Sequence, residues 1–386
     1  MSQQLDNLTK RLHELGAEAD RRAVEIDDQR VLPTDIAEAM IDSGVLRLWV
    51  AEAYGGMQAT VADLLDAVET LAYYNGSLGW VAAVTGTAAY NSGYLVPEVA
   101  HAIFDDPKGM TGGLAAPMGT AVQEPGGLRV RGRWQWGSGT PFCSYILGVV
   151  GVVDAEGKPS TLDDGTRMPL VYFPRDQVEL IDTWRVSGLR GTASGEYQVV
   201  DVFVPDGYWI PFPPASPLID APLYRFPAFG ALAAGIASVA LGLAKRALDE
   251  IRELGPNKTP RWSTTKQAER STVQLKVAEA EATYCAARAF LREAAANAWN
   301  EASDGQCSLE TRGRLRMAAT YATGQAAQVV DVAYGIGAGS SIWESVPLQR
   351  LFRDVHVATQ HGMVSPQTME MVGRMGFGIP VQEAMV

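Results

Sequence analysis

The sequence predicts an α+β protein in three parts: an N-terminal helical domain over residues 1–109, a middle β-domain of barrel or sandwich form over 110–215, and a C-terminal four-helix bundle over 216–386. Three observations carry this prediction. Apolar residues recur at helical spacing at both ends of the chain, short β-rich runs divided by turn residues fill the middle, and a proline-rich connector separates the middle from the second helical part.

In the first part the helical text is LTKRLHELGAEA, IAEAMIDSGVLRL and VADLLDAVETLAYY, with Thr34 and Thr60 placed as N-caps. Between Met110 and Ile210 the runs LRVRGRWQWGSG, YILGVVGVV, MPLVYFP and QVVDVFVP read as strands, with GG, EGK and DDG between them. After PFPPASPLIDAPLYRFP come three long alanine-rich amphipathic stretches, which imply a bundle. Pro347 suits the first turn of a further helix, and Ser365-Pro366 marks the start of the last.

Composition narrows the function. With 386 residues, 47% hydrophobic and 20% charged, the chain can form two or three ordinary globular cores. Its 32 basic and 44 acidic residues give a net charge of −12, which leaves no cationic surplus for nucleic acid or an anionic membrane. Three scattered cysteines form neither a disulfide framework nor a CxxC metal site, so a reducing cytoplasm is expected. The N-terminus is charged and helix-periodic, unlike a signal peptide, and no run is expected to approach the ~20 apolar residues of a membrane span.

Four phrases carry a resemblance. AYGG ends an early helical unit at Gly56; RGRWQWGSG spans Arg131 to Gly139; WRVSGLRGTASGEYQVVDVFVP contains Gly188, Arg190, Thr192 and Val204-Pro205; and YGIGAGSSIWESVPLQRLFRDVHVATQHG ends at Gly362. In this order they resemble the acyl-CoA dehydrogenase superfamily across nearly the whole chain. The resemblance implies a flavin held by Trp136, Ser138, Arg190, Thr192 and Gly337, with Arg261 on a phosphate. It also implies a homotetramer in which the R-D helix reaches a neighbouring subunit's flavin site.

Departures from the dehydrogenases refine the reading. Where many of them carry a catalytic glutamate after the R-D phrase, this chain has His361-Gly362, with Glu250 and Glu253 as the available stand-ins for a relocated base. The R-x-Q-F-G phrase of the dehydrogenases is absent from KTPRWSTTKQAERS, so the adenylate half of a flavin is held less tightly. A histidine at this helix end resembles the flavin-dependent monooxygenases of the superfamily, the oxygenase components of two-component hydroxylases. The implied reaction uses FMN or FAD, supplied reduced by a separate flavin reductase, and O2 to hydroxylate a small aromatic or ring-bearing substrate through a C4a-hydroperoxyflavin.

Within that reading, His361 and Ser138 are the catalytic candidates. An imidazole of ordinary pKa near ~6.5 suits proton transfer at neutral pH. Trp134, Trp136 and Phe142 are expected to wall the site, and Tyr90, Asn91 and Phe142 to face substrate. Where aromatic hydroxylases often carry a histidine after the S-G of the strand, Thr140-Pro141-Phe142-Cys143 stands instead, so the substrate pocket differs. Taken by residue type alone, His361 is a helix-end cation, Ser138 a turn residue, Tyr90 a core residue and Arg353-Asp354 an ion pair. His356 and His361, five apart, do not share a helix face, which speaks against a metal. A dehydrogenase or oxidase retaining FAD, or a non-catalytic scaffold of the same fold, are the alternatives.

Overall fold

The computed structural model describes residues 2–214 and 216–386; Ala215, at the expected boundary of the middle part, and Met1 lie outside the described residues. The first helical layer consists of α1 (Ser2–Arg21), α2 (Ala23–Gln29), α3 (Thr34–Ser43), α4 (Val61–Tyr74), α5 (Gly76–Ala89) and α6 (Pro97–Phe104). Thr60 starts α4 with a reciprocal capping box, its Oγ1 accepting the Asp63 N–H while Asp63 accepts the Thr60 N–H. The cap expected of Thr34 is not made. Proline 33 precedes the helix, Thr34 is its first residue, and no side-chain capping bond forms there. Asn75 caps α5 by accepting the Ser77 and Leu78 N–H groups, and α5, apolar on almost every side, is buried along most of its length.

Among the described residues seven strands follow: β1 (Thr111–Glu124), β2 (Gly127–Trp134), β3 (Tyr145–Val152), β4 (Pro169–Pro174), β5 (Glu179–Ile181), β6 (Glu196–Pro205) and β7 (Trp209–Pro211). They form one sheet in the order β5-β6-β2-β1-β3-β4-β7. Among these described strands β1 and β3 alone pair in parallel, and two register shifts in β1 bend it near Pro117. The sheet curls around Trp134. Its indole N–H donates to the Val149 carbonyl at 3.0 Å, and the ring stacks on Tyr197 at 5.4 Å and meets Phe173 at 5.6 Å. A Cβ at Gly119, Gly132 or Gly148 would lie 2.5 to 2.6 Å from indole atoms, so those positions take glycine. Trp134 is therefore a core residue of the sheet and not the pocket wall expected from the sequence; it is fully buried, with its only polar group satisfied inside.

After the short α7 (Pro222–Arg225), the bundle is built from α8 (Ala228–Asn257), α9 (Ser271–Asp304), α10 (Leu309–Gly337) and α11 (Leu348–Ala358), and α12 (Pro366–Gly376) closes the chain against α10. Pro347 stands immediately before α11, and Pro366 occupies the first turn of α12. The expectation that no segment approaches a membrane span is corrected by α8, which is long and apolar enough to cross one. Its apolarity has an internal explanation: 78% of its most apolar window is buried in the molecule, against α4, α5, α10 and α11.

Candidate flavin and oxygen site

The chain leaving β2 turns at Trp136 and Gly139, both at positive φ. It is tied there to the segment before β6: the Gly137 N–H donates to the Gly195 carbonyl and the Gly139 N–H to the Thr192 carbonyl, each at 2.9 Å. Three buried hydroxyls meet as a result. Ser138 and Ser194 lie 2.6 Å apart, Ser194 and Thr192 2.6 Å apart, and Thr192 donates to the Leu189 carbonyl at 2.8 Å. From α5, the Trp80 indole N–H donates to Ser138 Oγ at 3.0 Å. Two of the sequence-predicted residues, Ser138 and Thr192, are thereby joined through a third, Ser194, which the sequence reading did not single out.

His361 meets the same tryptophan. Its ring meets Trp80 edge to face, with centroids 5.6 Å apart and 64° between planes. Its Nδ1 accepts the Met363 N–H at 3.2 Å, which leaves the proton of the neutral ring on Nε2. Burial, followed by the positive charge of Arg316, pulls the imidazole down to about 4. The expectation of a group titrating near neutrality is therefore corrected: at pH 7 His361 is a neutral donor through Nε2, because protonating it would place a second cation beside a buried guanidinium. Arg316, on α10, donates to the Met363 carbonyl at 3.3 Å and to Thr368 Oγ1 at 3.2 Å, and burial lowers it to about 10.

The R-D phrase holds this arrangement together, although Arg353 and Asp354 do not pair with each other. Arg353 reaches Asp27 at 2.7 Å and the Ser187 carbonyl at 2.7 Å, while the buried Asp354 accepts the Leu189 N–H at 2.6 Å. Burial, and then Asp27, push Asp354 up to about 6. Gly188 sits so close beneath α11 that a Cβ would be 2.3 Å from the Arg353 carbonyl. Arg190 extends the same contact with its Nε donating to the Asp27 carbonyl at 2.9 Å. The segment carrying Thr192 and the helix leading to His361 are thus fastened to one another.

The remaining candidates divide. Trp136 is 58% exposed, an open aromatic face beside Ser138. Phe142 is partly buried in the 3-10 turn Thr140–Phe142, followed by Cys143, whose thiol is pushed up to about 12 by burial. Tyr90 packs into a tyrosine cluster with Tyr94 and Tyr224, and its hydroxyl already contacts Tyr94 and the Tyr224 and Phe226 carbonyls. That is the geometry of a core tyrosine. Asn91, next to it, is half-buried.

Arg261 and the glycine turn after α10 meet in a second location. A cleft of about 540 Å³ is lined by Lys258, Arg261, Arg270, Lys276, Gly335 and Gly339, among others, and Lys258 Nζ donates to the Gly337 carbonyl. Four cations around a glycine-rich turn match a phosphate. The exposed indole face and the hydroxyl cluster match an isoalloxazine ring, so the residues present fit a flavin. Neither stand-in base is a free buried carboxylate: Glu250 is held by Arg246 at 2.6 Å, and Glu253 is exposed. No group of metal-ligating side chains occurs among the described residues.

Trp80, Ser194 and Arg316 were not identified from sequence. A tryptophan inside an all-apolar helix is the one available signal, since a buried indole N–H must find an acceptor. Arg316 lies in helical text that reads as surface.

Residues 6–93 match the family described as acyl-CoA dehydrogenase, N-terminal domain, and residues 234–366 match acyl-CoA dehydrogenase, C-terminal domain. The chain is 30% identical to an indole-3-acetate monooxygenase of Pseudomonas putida over 92% of its own length and 90% of the relative's. It is 29% identical, over 100% of both chains, to the flavin-dependent monooxygenase oxygenase subunit HsaA of Rhodococcus jostii. Among solved structures, XiaF from a Streptomyces species, in complex with FADH2 and glycerol, superposes with a TM-score of 0.91 at 26% identity, covering 98% of this chain and 97% of that one. The chain accordingly belongs to the acyl-CoA dehydrogenase superfamily, in its branch of flavin-dependent monooxygenases, and is a flavoprotein oxidoreductase.

Proposed function

We propose that this protein is the oxygenase component of a two-component system, which receives FMN or FAD in reduced form from a separate reductase and uses O2 to hydroxylate a small aromatic or ring-bearing substrate. The observation that carries this reading is the pairing, on one indole, of a hydroxyl with acceptor capacity, Ser138, and a neutral imidazole donor, His361. When bound, the flavin supplies the electrons that activate O2.

The protein's own part is to position and to donate. Trp136 would offer the flavin a flat apolar face, Ser138 would accept a hydrogen bond from it, and His361 would donate from Nε2–H to an oxygen gaining negative charge. The buried surroundings of Trp80 and Thr192 exclude water from this corner. A dehydrogenase needs a carboxylate base here. The confinement of Glu250 by Arg246 and the exposure of Glu253 favour the oxygenase.

A homotetramer in the cytoplasm completes the proposal. Ile342 and Trp343, 65% and 64% exposed in the loop before α11, support a subunit contact on that side, and three free cysteines suit a reducing compartment. The test is anaerobic mixing with FMNH2 or FADH2 followed by an oxygen pulse. Expected is a delay between oxygen addition and the appearance of oxidised flavin, far longer than for free reduced flavin. Immediate oxidation, together with FAD that stays on the protein through gel filtration, would move the assignment to a dehydrogenase.

A further inference from the structure

The hydroxyl line Trp80–Ser138–Ser194–Thr192–Leu189 has ends of fixed polarity. An indole N–H can only donate, and a peptide carbonyl can only accept. Between them lie three hydroxyls, each with one proton, and four contacts of 3.0, 2.6, 2.6 and 2.8 Å. One arrangement of protons satisfies all four: Trp80 donates to Ser138, Ser138 to Ser194, Ser194 to Thr192, and Thr192 to the Leu189 carbonyl. The line is buried, with Ser138 the most exposed of its hydroxyls at 7%, so leaving one link unmade carries the cost of an unsatisfied buried group.

We infer that Ser194 is a positioning residue which locks the Ser138 hydroxyl as an acceptor toward the flavin, so that the site discriminates between flavin redox states before any chemistry occurs. The inference rests on the flavin reading above and sets Ser138 against the N5 edge of the ring. Reduced flavin carries a hydrogen on N5, whereas oxidised flavin presents a bare nitrogen that needs a donor. With its proton committed to Ser194 and one lone pair filled by Trp80, Ser138 has only a lone pair to offer. It complements the reduced ring and leaves the oxidised ring unpaired, which suits a protein that takes its flavin reduced and releases it oxidised.

Removing Ser194 frees the Ser138 proton to turn toward a bare N5. In Ser194→Ala the ratio of Kd for oxidised FMN to Kd for reduced FMN is expected to fall about tenfold, the worth of one hydrogen bond of ~1.4 kcal/mol. Thr192→Val should do the same one link further on, because Ser194 then donates back to Ser138. Ser194→Thr keeps the line and should keep the wild-type ratio.

The experiment measures both constants for wild type and the three variants, by fluorescence for the oxidised form and by anaerobic titration for the reduced. General damage weakens both constants together and leaves the ratio where it was. If Ser194→Ala and Thr192→Val bind both forms with the wild-type ratio, the inference is overturned and the flavin reading stands. If wild type binds neither form of FMN or FAD, the flavin reading itself fails and the inference with it.

Discussion

His361 illustrates how one backbone contact changes the chemistry of a side chain. Burial first, and the nearby Arg316 guanidinium second, keep the ring neutral across the physiological range, and because Nδ1 is occupied by the Met363 N–H the ring donates from Nε2. His361→Gln, which can keep an N–H donor, should therefore retain far more turnover than His361→Ala, for which a loss of roughly 10²-fold is expected of a missing donor. The pH profile of kcat/KM should show no ionisation near 6.5 that disappears in these variants. Finding one would return His361 to the role of proton shuttle. Stability offers a second check. A folded pKa of about 4 lies below the ordinary 6.5, so the folded state binds fewer protons between these values. Stability attributable to the neutral ring is present above pH 6.5 and lost as pH falls toward 4, by at most about 3 kcal/mol and less for the part of the ring that water reaches. Denaturation of His361→Gln should be flatter across that window than wild type; parallel curves would dismiss the shift.

At the scale of elements, the important joint is α11 against the segment 187–192. Gly188→Ala inserts a methyl 2.3 Å from the Arg353 carbonyl and should cost about 1–3 kcal/mol by forcing the two apart, with flavin affinity falling in step. A variant as stable as wild type would show that the joint yields freely. Asp354 has the opposite sign to His361. Its folded pKa near 6 exceeds the ordinary 3.8, so its contribution opposes folding increasingly as pH rises through that range. Asp354→Asn can still accept the Leu189 N–H and removes the buried charge, and should be no less stable than wild type at pH 7. Asp354→Ala orphans that N–H and should lose about 1–3 kcal/mol. Urea titrations at pH 5 and pH 8 separate the two.

For the whole molecule, the helical layers and the sheet share a continuous core through α5 and α8, so the corner that joins Trp80, Ser138 and His361 is assembled from three distant stretches of chain. Such a corner tolerates little slack. The same view predicts how copies associate: replacing Ile342 and Trp343 by glutamate should convert the proposed tetramer into smaller species in sedimentation analysis without unfolding the subunit, since both side chains are exposed within it. An unchanged mass would place the subunit contact elsewhere.

Much of this was legible in one dimension because periodicity and capping are local. The helical ends, the strand-rich middle and the Thr60 cap follow from spacing that a short window contains, and the glycine, R-D and W-Q-W phrases carry enough local pattern to reveal the family. Ser138, Thr192 and His361 could be named for the same reason. What only the tertiary structure decided is what those residues touch. Whether an imidazole is neutral depends on its burial and then on Arg316, 45 positions away in the chain; whether a tryptophan is wall or core depends on which glycines face it, and Trp134 is core because Gly119 and Gly148 leave it room. Burial and proton direction are properties of surroundings, and surroundings are fixed only when distant segments meet.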